Sequence, residues 1–204
     1  MLDRKRVSSR YSVLVALVFC AIFSSLSLAA EPVVERLGVP GPIRFGQTEF
    51  ELAWSSNPSP ELFKQEYLPA GQNAERYQSM LMLDVRPTGA NAAQMAAGMV
   101  EQLNARKATD PVVNYDLLLK PDGSEALLDF VLSAADPASG MLVEWNAYRY
   151  MTGADGGTVM LGISRRAYGD TEVRALVGAL KESRARDIAE LSQMQVPQAR
   201  PSAP

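Results

Sequence analysis

Between residues 112 and 168 hydrophobic and polar side chains alternate with a period of two, and this stretch predicts four consecutive strands. In 112–119, Val113, Tyr115, Leu117 and Leu119 alternate with Asn114, Asp116 and Leu118. Lys120, Pro121, Asp122 and Gly123 follow. Proline fixes φ, aspartate tolerates the bridge conformation and glycine accepts positive φ, so a hairpin turn is expected there. Residues 125–134 set Leu128, Phe130 and Leu132 on one face and Asp129 and Ser133 on the other, until Pro137 and Gly140 break the pattern. In 141–151 the even positions are Leu142, Glu144, Asn146, Tyr148 and Tyr150, and the odd ones Met141, Val143, Trp145, Ala147, Arg149 and Met151. The odd set is the more apolar and is expected to point inward. After a glycine-rich turn at 152–157, Val159, Leu161 and Ile163 face one way and Met160, Ser164 and Arg166 the other. Connections this short join antiparallel neighbours, because a parallel crossover needs about a dozen residues.

The flanks add strands and two helices. Phe50, Leu52 and Trp54 alternate with Glu49, Glu51 and Ala53, and Leu81, Leu83 and Val85 with Met80, Met82 and Asp84, so 48–55 and 77–86 read as strands. Residues 61–67 fit a short helix or an edge strand. Asn91 is an expected N-cap for a helix over 91–107, where Ala92, Met95, Ala96, Met99 and Leu103 recur at helical spacing before Asp110 and Pro111 stop it. A second helix begins near Asp170, its expected N-cap, with Val173, Leu176, Val177, Leu180, Ile188 and Leu191 as its apolar stripe. The expectation is an α+β fold: a mainly antiparallel sheet of five to six strands with both amphipathic helices on one face. The other face then carries Asp84, Arg86, Asn114, Asp116, Asp129, Glu144, Asn146, Tyr148, Ser164, Arg166 and Tyr168.

The N-terminus has the pattern of an export signal. Arg4, Lys5, Arg6 and Arg10 precede an apolar run over 13–23, and Ala29 and Ala30 offer small residues for cleavage. The run is shorter than the roughly 20 residues a membrane span needs; an uncleaved anchor is the alternative. The division expected is a signal peptide at 1–30, an irregular segment at 31–47, a single domain at 48–193 and a disordered tail at 194–204, in a periplasmic protein. Removing the leader takes away four basic residues, Asp3 and Cys20, so the chain's 20 basic and 23 acidic residues fall to a net charge of −6. That balance argues against nucleic acid and anionic membrane surfaces, which select cationic patches. No cysteine then remains for a disulfide.

Chemistry is narrowed further because the chain has no histidine. Ser-His and Cys-His catalysis and histidine metal sites are excluded, and without Cys20 so are thiolate sites. Gly153, Gly156 and Gly157 lack the lysine of a phosphate loop. Asp116, Asp129 and Glu144 on neighbouring strands would have to converge to act as a glycosidase pair or calcium site; cross-strand ion pairing with Arg86, Arg149, Arg165 and Arg166 is the competing account. Trp145, Tyr148, Tyr150 and Tyr168 fit either a binding surface or strand filling. Met80, Met82, Met95 and Met99 suit either an adaptable groove or an irregular core.

Two stretches carry a resemblance. Glu66, Tyr67, Leu68, Pro69 and Gly71 with Tyr77 and Met80, and Glu144, Trp145, Asn146, Tyr148, Arg149 and Tyr150 with Ser164, Arg165, Arg166, Tyr168 and Gly169, resemble uncharacterised exported bacterial proteins. The order of elements over 48–192 is similar, more loosely, to the Mog1/PsbP-like fold. The resemblance implies a sheet with helices serving as a binding or assembly module and brings no catalytic motif; no cofactor or metal is expected. The expected function is a non-enzymatic periplasmic accessory or binding module with an envelope protein as partner. Its binding residues would be Asp129, Glu144, Asn146, Tyr148, Arg166 and Tyr168. The alternatives are a carboxylate-based hydrolase or calcium binder using Asp116, Asp129 and Glu144, and a purely structural envelope protein.

Overall fold

In the computed structural model, which describes residues 33–153 and 156–201, every expected strand is present and two more join them. The strands are β1 (Ile43–Phe45), β2 (Thr48–Ser59), β3 (Leu62–Leu68), β4 (Ser79–Arg86), β5 (Asn114–Leu119), β6 (Glu125–Asp136), β7 (Gly140–Thr152) and β8 (Thr158–Tyr168). Helix α1 (Ala92–Arg106) joins β4 to β5, and α2 (Gly169–Gln193) follows β8. All pairings are antiparallel, in the order β1-β2-β3-β4-β8-β7-β6-β5. The expected export signal lies outside the described residues. Among those described, no helix is long and apolar enough to cross a membrane.

The expectation of five to six strands with both helices on one face is corrected in two respects. The sheet has eight strands: β1 lies in the segment expected to be irregular, and 62–68 is a strand. The helices also lie on opposite faces. Leu81, Leu83, Trp145, Ala147, Leu161 and Ile163 pack with Leu180, Ile188 and Leu191 of α2, whereas Leu128, Phe130, Tyr150 and Met160 pack with Ala92, Ala96, Met99 and Leu103 of α1. The physical reason is that both alternating sets are apolar along the central strands. Each needs its own cover, and one helical layer shields only one face.

Asn91 caps α1 as expected, accepting from the Gln94 backbone N–H at 2.9 Å while the Gln94 side chain accepts from the Asn91 N–H. Asp170 lies in the first turn of α2, where its charge complements the helix dipole, and Tyr168 occupies the N-cap position. The segment after α2 is not loose over its described part: Met194, Val196 and Ala199 pack on the α2-side core, and the Arg200 N–H donates to the Leu37 carbonyl at 2.9 Å. The described residues form one compact unit.

Candidate functional site

Antiparallel register sorts the chemistry-bearing side chains between the two faces, because directly paired residues point the same way. On the α1 face, Lys64, Asp84, Met160 and Tyr150 form one cross-strand row, and Glu66, Met82, Gly162, Tyr148 and Leu128 the next. Helix α1 packs mainly over β5, β6 and β7 and reaches the β4–β8 part of this face chiefly through methionine side chains, so that part is less closely covered.

A cleft of about 260 Å³ opens between α1 and that less covered part. Met82 and Met160 rise from the sheet, Met95 and Met99 hang from α1, and Tyr148 and Tyr150 form the floor. The two tyrosine rings meet edge to face, with centroids 6.2 Å apart, and Phe130 meets Tyr148 in the same way at 5.0 Å. Gly162 makes this floor possible. A β-carbon there would lie 2.8 Å from Cδ1 of Tyr148 and 3.1 Å from Sδ of Met160; without one, the Tyr148 hydroxyl reaches to 3.9 Å from Sδ of Met82.

Lys64, Asp84 and Arg86 supply the polar wall of the cleft. Lys64 Nζ sits 2.6 Å from Asp84 Oδ2. Burial pushes the Asp84 carboxyl up from its ordinary range, and Lys64 and Arg86 pull against that rise without cancelling it. Desolvation also pushes both tyrosine phenols up, so they remain protonated donors at neutral pH. Arg86 forms no ion pair among the described residues, and its buried Nε has no hydrogen-bond partner. Thr158, opposite Arg86, is engaged elsewhere, donating to the Ala90 carbonyl at 2.6 Å.

Beside the cleft lies a buried polar network that holds four of the six expected binding residues. Glu144 accepts from Arg166 Nε at 2.6 Å, from the Tyr77 hydroxyl at 2.8 Å and from Asn146 Nδ2 at 2.9 Å. The Arg166 guanidinium stacks 4.0 Å over the Tyr77 ring, and Tyr168 donates to the Tyr77 carbonyl at 3.1 Å. Glu144, Asn146 and Tyr168 are all buried, so this cluster seats the Tyr77 segment on the sheet and offers little open surface. Burial works against the charge of Arg166, but Glu144, Tyr77 and Tyr168 together outweigh it and raise its pKa. Glu66, on the same face, is pushed up chiefly by burial. Asn146 Oδ1 has no hydrogen-bond partner.

Tyr148, the fifth expected residue, belongs to the cleft floor. Asp129, the sixth, is on the opposite face under α2, where Arg184 Nε lies 2.6 Å from its Oδ2 and Trp145 Nε1 donates to it at 3.2 Å. Arg184 also pairs with Asp116. The three carboxylates considered for hydrolysis or calcium are therefore split: Asp116 and Asp129 share one arginine, and Glu144 is across the sheet. No group of His, Cys, Asp or Glu that could hold a metal ion occurs among the described residues. A larger groove of about 510 Å³ lies beside Asp116, Asp129 and Arg184. Asp116, Asp129 and Arg184 satisfy one another there, whereas the smaller cleft keeps a buried arginine nitrogen unsatisfied, and this favours the smaller one.

Sequence reasoning grouped Arg86 and Asp84 on a face expected to carry no helix, which is in fact the α1 face, and left them out of the expected binding set. It weighed a methionine groove with Met80 as a member; Met80 instead packs with Leu68 and Tyr77, and Met160 is the fourth methionine of the cleft. Only the strand register could have exchanged one for the other.

An eight-stranded antiparallel sheet covered by a helix on each face, with a methionine and tyrosine cleft beneath one of them, defines an α+β domain. A family model matches residues 37–196, and the chain belongs to that family, an uncharacterised one. No curated protein and no solved structure matches the chain significantly.

Proposed function

We propose that this protein is an exported, non-enzymatic binding module of the bacterial envelope, and that the cleft between α1 and the sheet is its ligand site. The observation that carries this reading is the cleft's lining: four methionines and two tyrosines exposed to a common space, with a short polar wall at one end. Ligand sites have this composition, an apolar body with few convergent polar groups, and methionine adapts to varied apolar shapes. Chemistry is poorly served there. The phenols are held protonated, and the wall carboxylate of Asp84 is engaged by Lys64. Export is supported by the basic and apolar pattern of the first 30 residues.

The test is to label methionine methyl groups with carbon-13 and add the low-molecular-weight fraction of a periplasmic extract. Resonances of Met82, Met95, Met99 and Met160 are expected to move, while those of Met141 and Met194 stay. Unmoved cleft methyls would refute the site, and chemical turnover of an added compound would refute the non-enzymatic reading.

A further inference from the structure

Building on the assignment of the cleft as a ligand site, we propose that its ligand is a small amphipathic carboxylate. The anionic head is held by Arg86, and an aromatic or short branched apolar body lies among the methionines and tyrosines. Charge selects the head. Lys64 and Asp84, paired directly across β3 and β4, neutralise each other at 2.6 Å. Arg86, two residues beyond Asp84 on the same face, lines the same space and is within electrostatic reach of Asp84 but forms no ion pair among the described residues, because Lys64 holds that carboxylate. Its Nε is enclosed by protein and donates to nothing. Arginine does not shed its proton to escape that position. A buried donor left unmade is unfavourable; Nε itself is closed off from the cleft, so an anion lodged there meets Arg86 through the other guanidinium nitrogens and offsets its charge. The guanidinium fork matches a carboxylate with two parallel hydrogen bonds.

Size and lining select the body. A volume of about 260 Å³ falls just below the range of drug-sized sites, which suits a single ring or a short branched chain. Tyr148 and Tyr150 already meet edge to face, and thioether sulfurs make favourable contacts with ring edges. Four thioethers in one place are also a donor set for a soft cation. The unpaired positive charge of Arg86 in the wall opposes that occupant.

The experiment titrates the methyl-labelled protein with phenylacetate, with its neutral isostere phenylacetamide, and separately with silver(I). Phenylacetate is expected to shift the Met82, Met95, Met99 and Met160 methyl resonances saturably, with a dissociation constant about tenfold or more below that of the amide. Arg86→Gln should erase that preference and Arg86→Lys should retain part of it, with Met141 and Met194 resonances reporting that both variants remain folded. Equal affinity for acid and amide, or an unchanged preference in Arg86→Gln, would overturn the anionic head while leaving the cleft as a ligand site. No response to any of the three titrants would remove the site and the proposal together. Saturable shifts of the same methyls by silver(I) without any by phenylacetate would replace the carboxylate with a soft cation.

Discussion

Gly162 and Asp110 illustrate how single positions set the two ends of the α1 layer. At Gly162 the absent β-carbon lets the Tyr148 ring cross β8, and the nearest ring atom would be 2.8 Å from any β-carbon placed there. Gly162→Ala must therefore push the ring out of its packed orientation, and overpacking of this kind typically costs about 1–3 kcal/mol. Urea unfolding should show that loss, and the cleft methyl resonances should shift with it. Asp110 is buried beyond the end of α1 and accepts from the Ser133 N–H at 2.7 Å, the Ser133 hydroxyl at 2.7 Å, Arg106 Nε at 3.0 Å and the Val112 N–H at 3.1 Å. Burial alone would raise its pKa, but these donors outweigh burial and hold it below the ordinary aspartate value. A carboxyl depressed by folding stabilises the protein above its unfolded pKa of about 3.9, and that contribution is lost as pH falls through the lower folded value. Asp110→Asn is expected to be less stable than the parent by about 1–3 kcal/mol at pH 7. Urea unfolding repeated from pH 5 down to pH 2 should show the gap shrinking, and a gap constant across that range would contradict the assignment.

At the scale of elements, α2 is held to the sheet by arginines as much as by its stripe. Arg165 on β8 pairs with Asp187 of α2 at 3.0 Å, Arg149 on β7 donates to the Leu191 and Met194 carbonyls at 3.1 and 2.9 Å, and Arg184 of α2 reaches back to Asp129 on β6. Arg184→Ala should leave the buried Asp129 with Trp145 as its remaining side-chain donor, which destabilises by about 1–3 kcal/mol. A change in Trp145 fluorescence at neutral pH is the matching signal; unaltered emission with unaltered stability would show that the pair contributes nothing. Most elements were legible from the sequence because period two and period 3.6 are local signals, and Asn91 announced its helix by capping chemistry. The helix layering was not legible. Each strand showed one face more apolar than the other, yet Met82, Tyr148, Tyr150 and Met160 made the second face apolar as well, and only long-range pairing reveals that. The site suffered the same loss: Glu144, Asn146 and Tyr168 looked like an exposed polar row and are instead buried together around Tyr77.

At the scale of the whole molecule, two apolar cores lie back to back across one sheet. The α2-side core draws its members from both ends of the described chain, from Leu37 through Phe50 to Leu191. The strand order places β8, the last strand in the chain, between β4 and β7. Until β8 is available, no strand pairing joins β1–β4 to β5–β7. A chain supplied from its N-terminus, whether by a ribosome or through a translocation pore, therefore carries seven strands in two unjoined halves with unpaired edges on β4 and β7. Such edges are aggregation-prone, and the pairing that closes them spans about eighty residues, a slow class of contact to form. Assembly is in this sense withheld until the final quarter of the sequence arrives, which gives a holding chaperone both a reason to engage and a well-defined moment to let go.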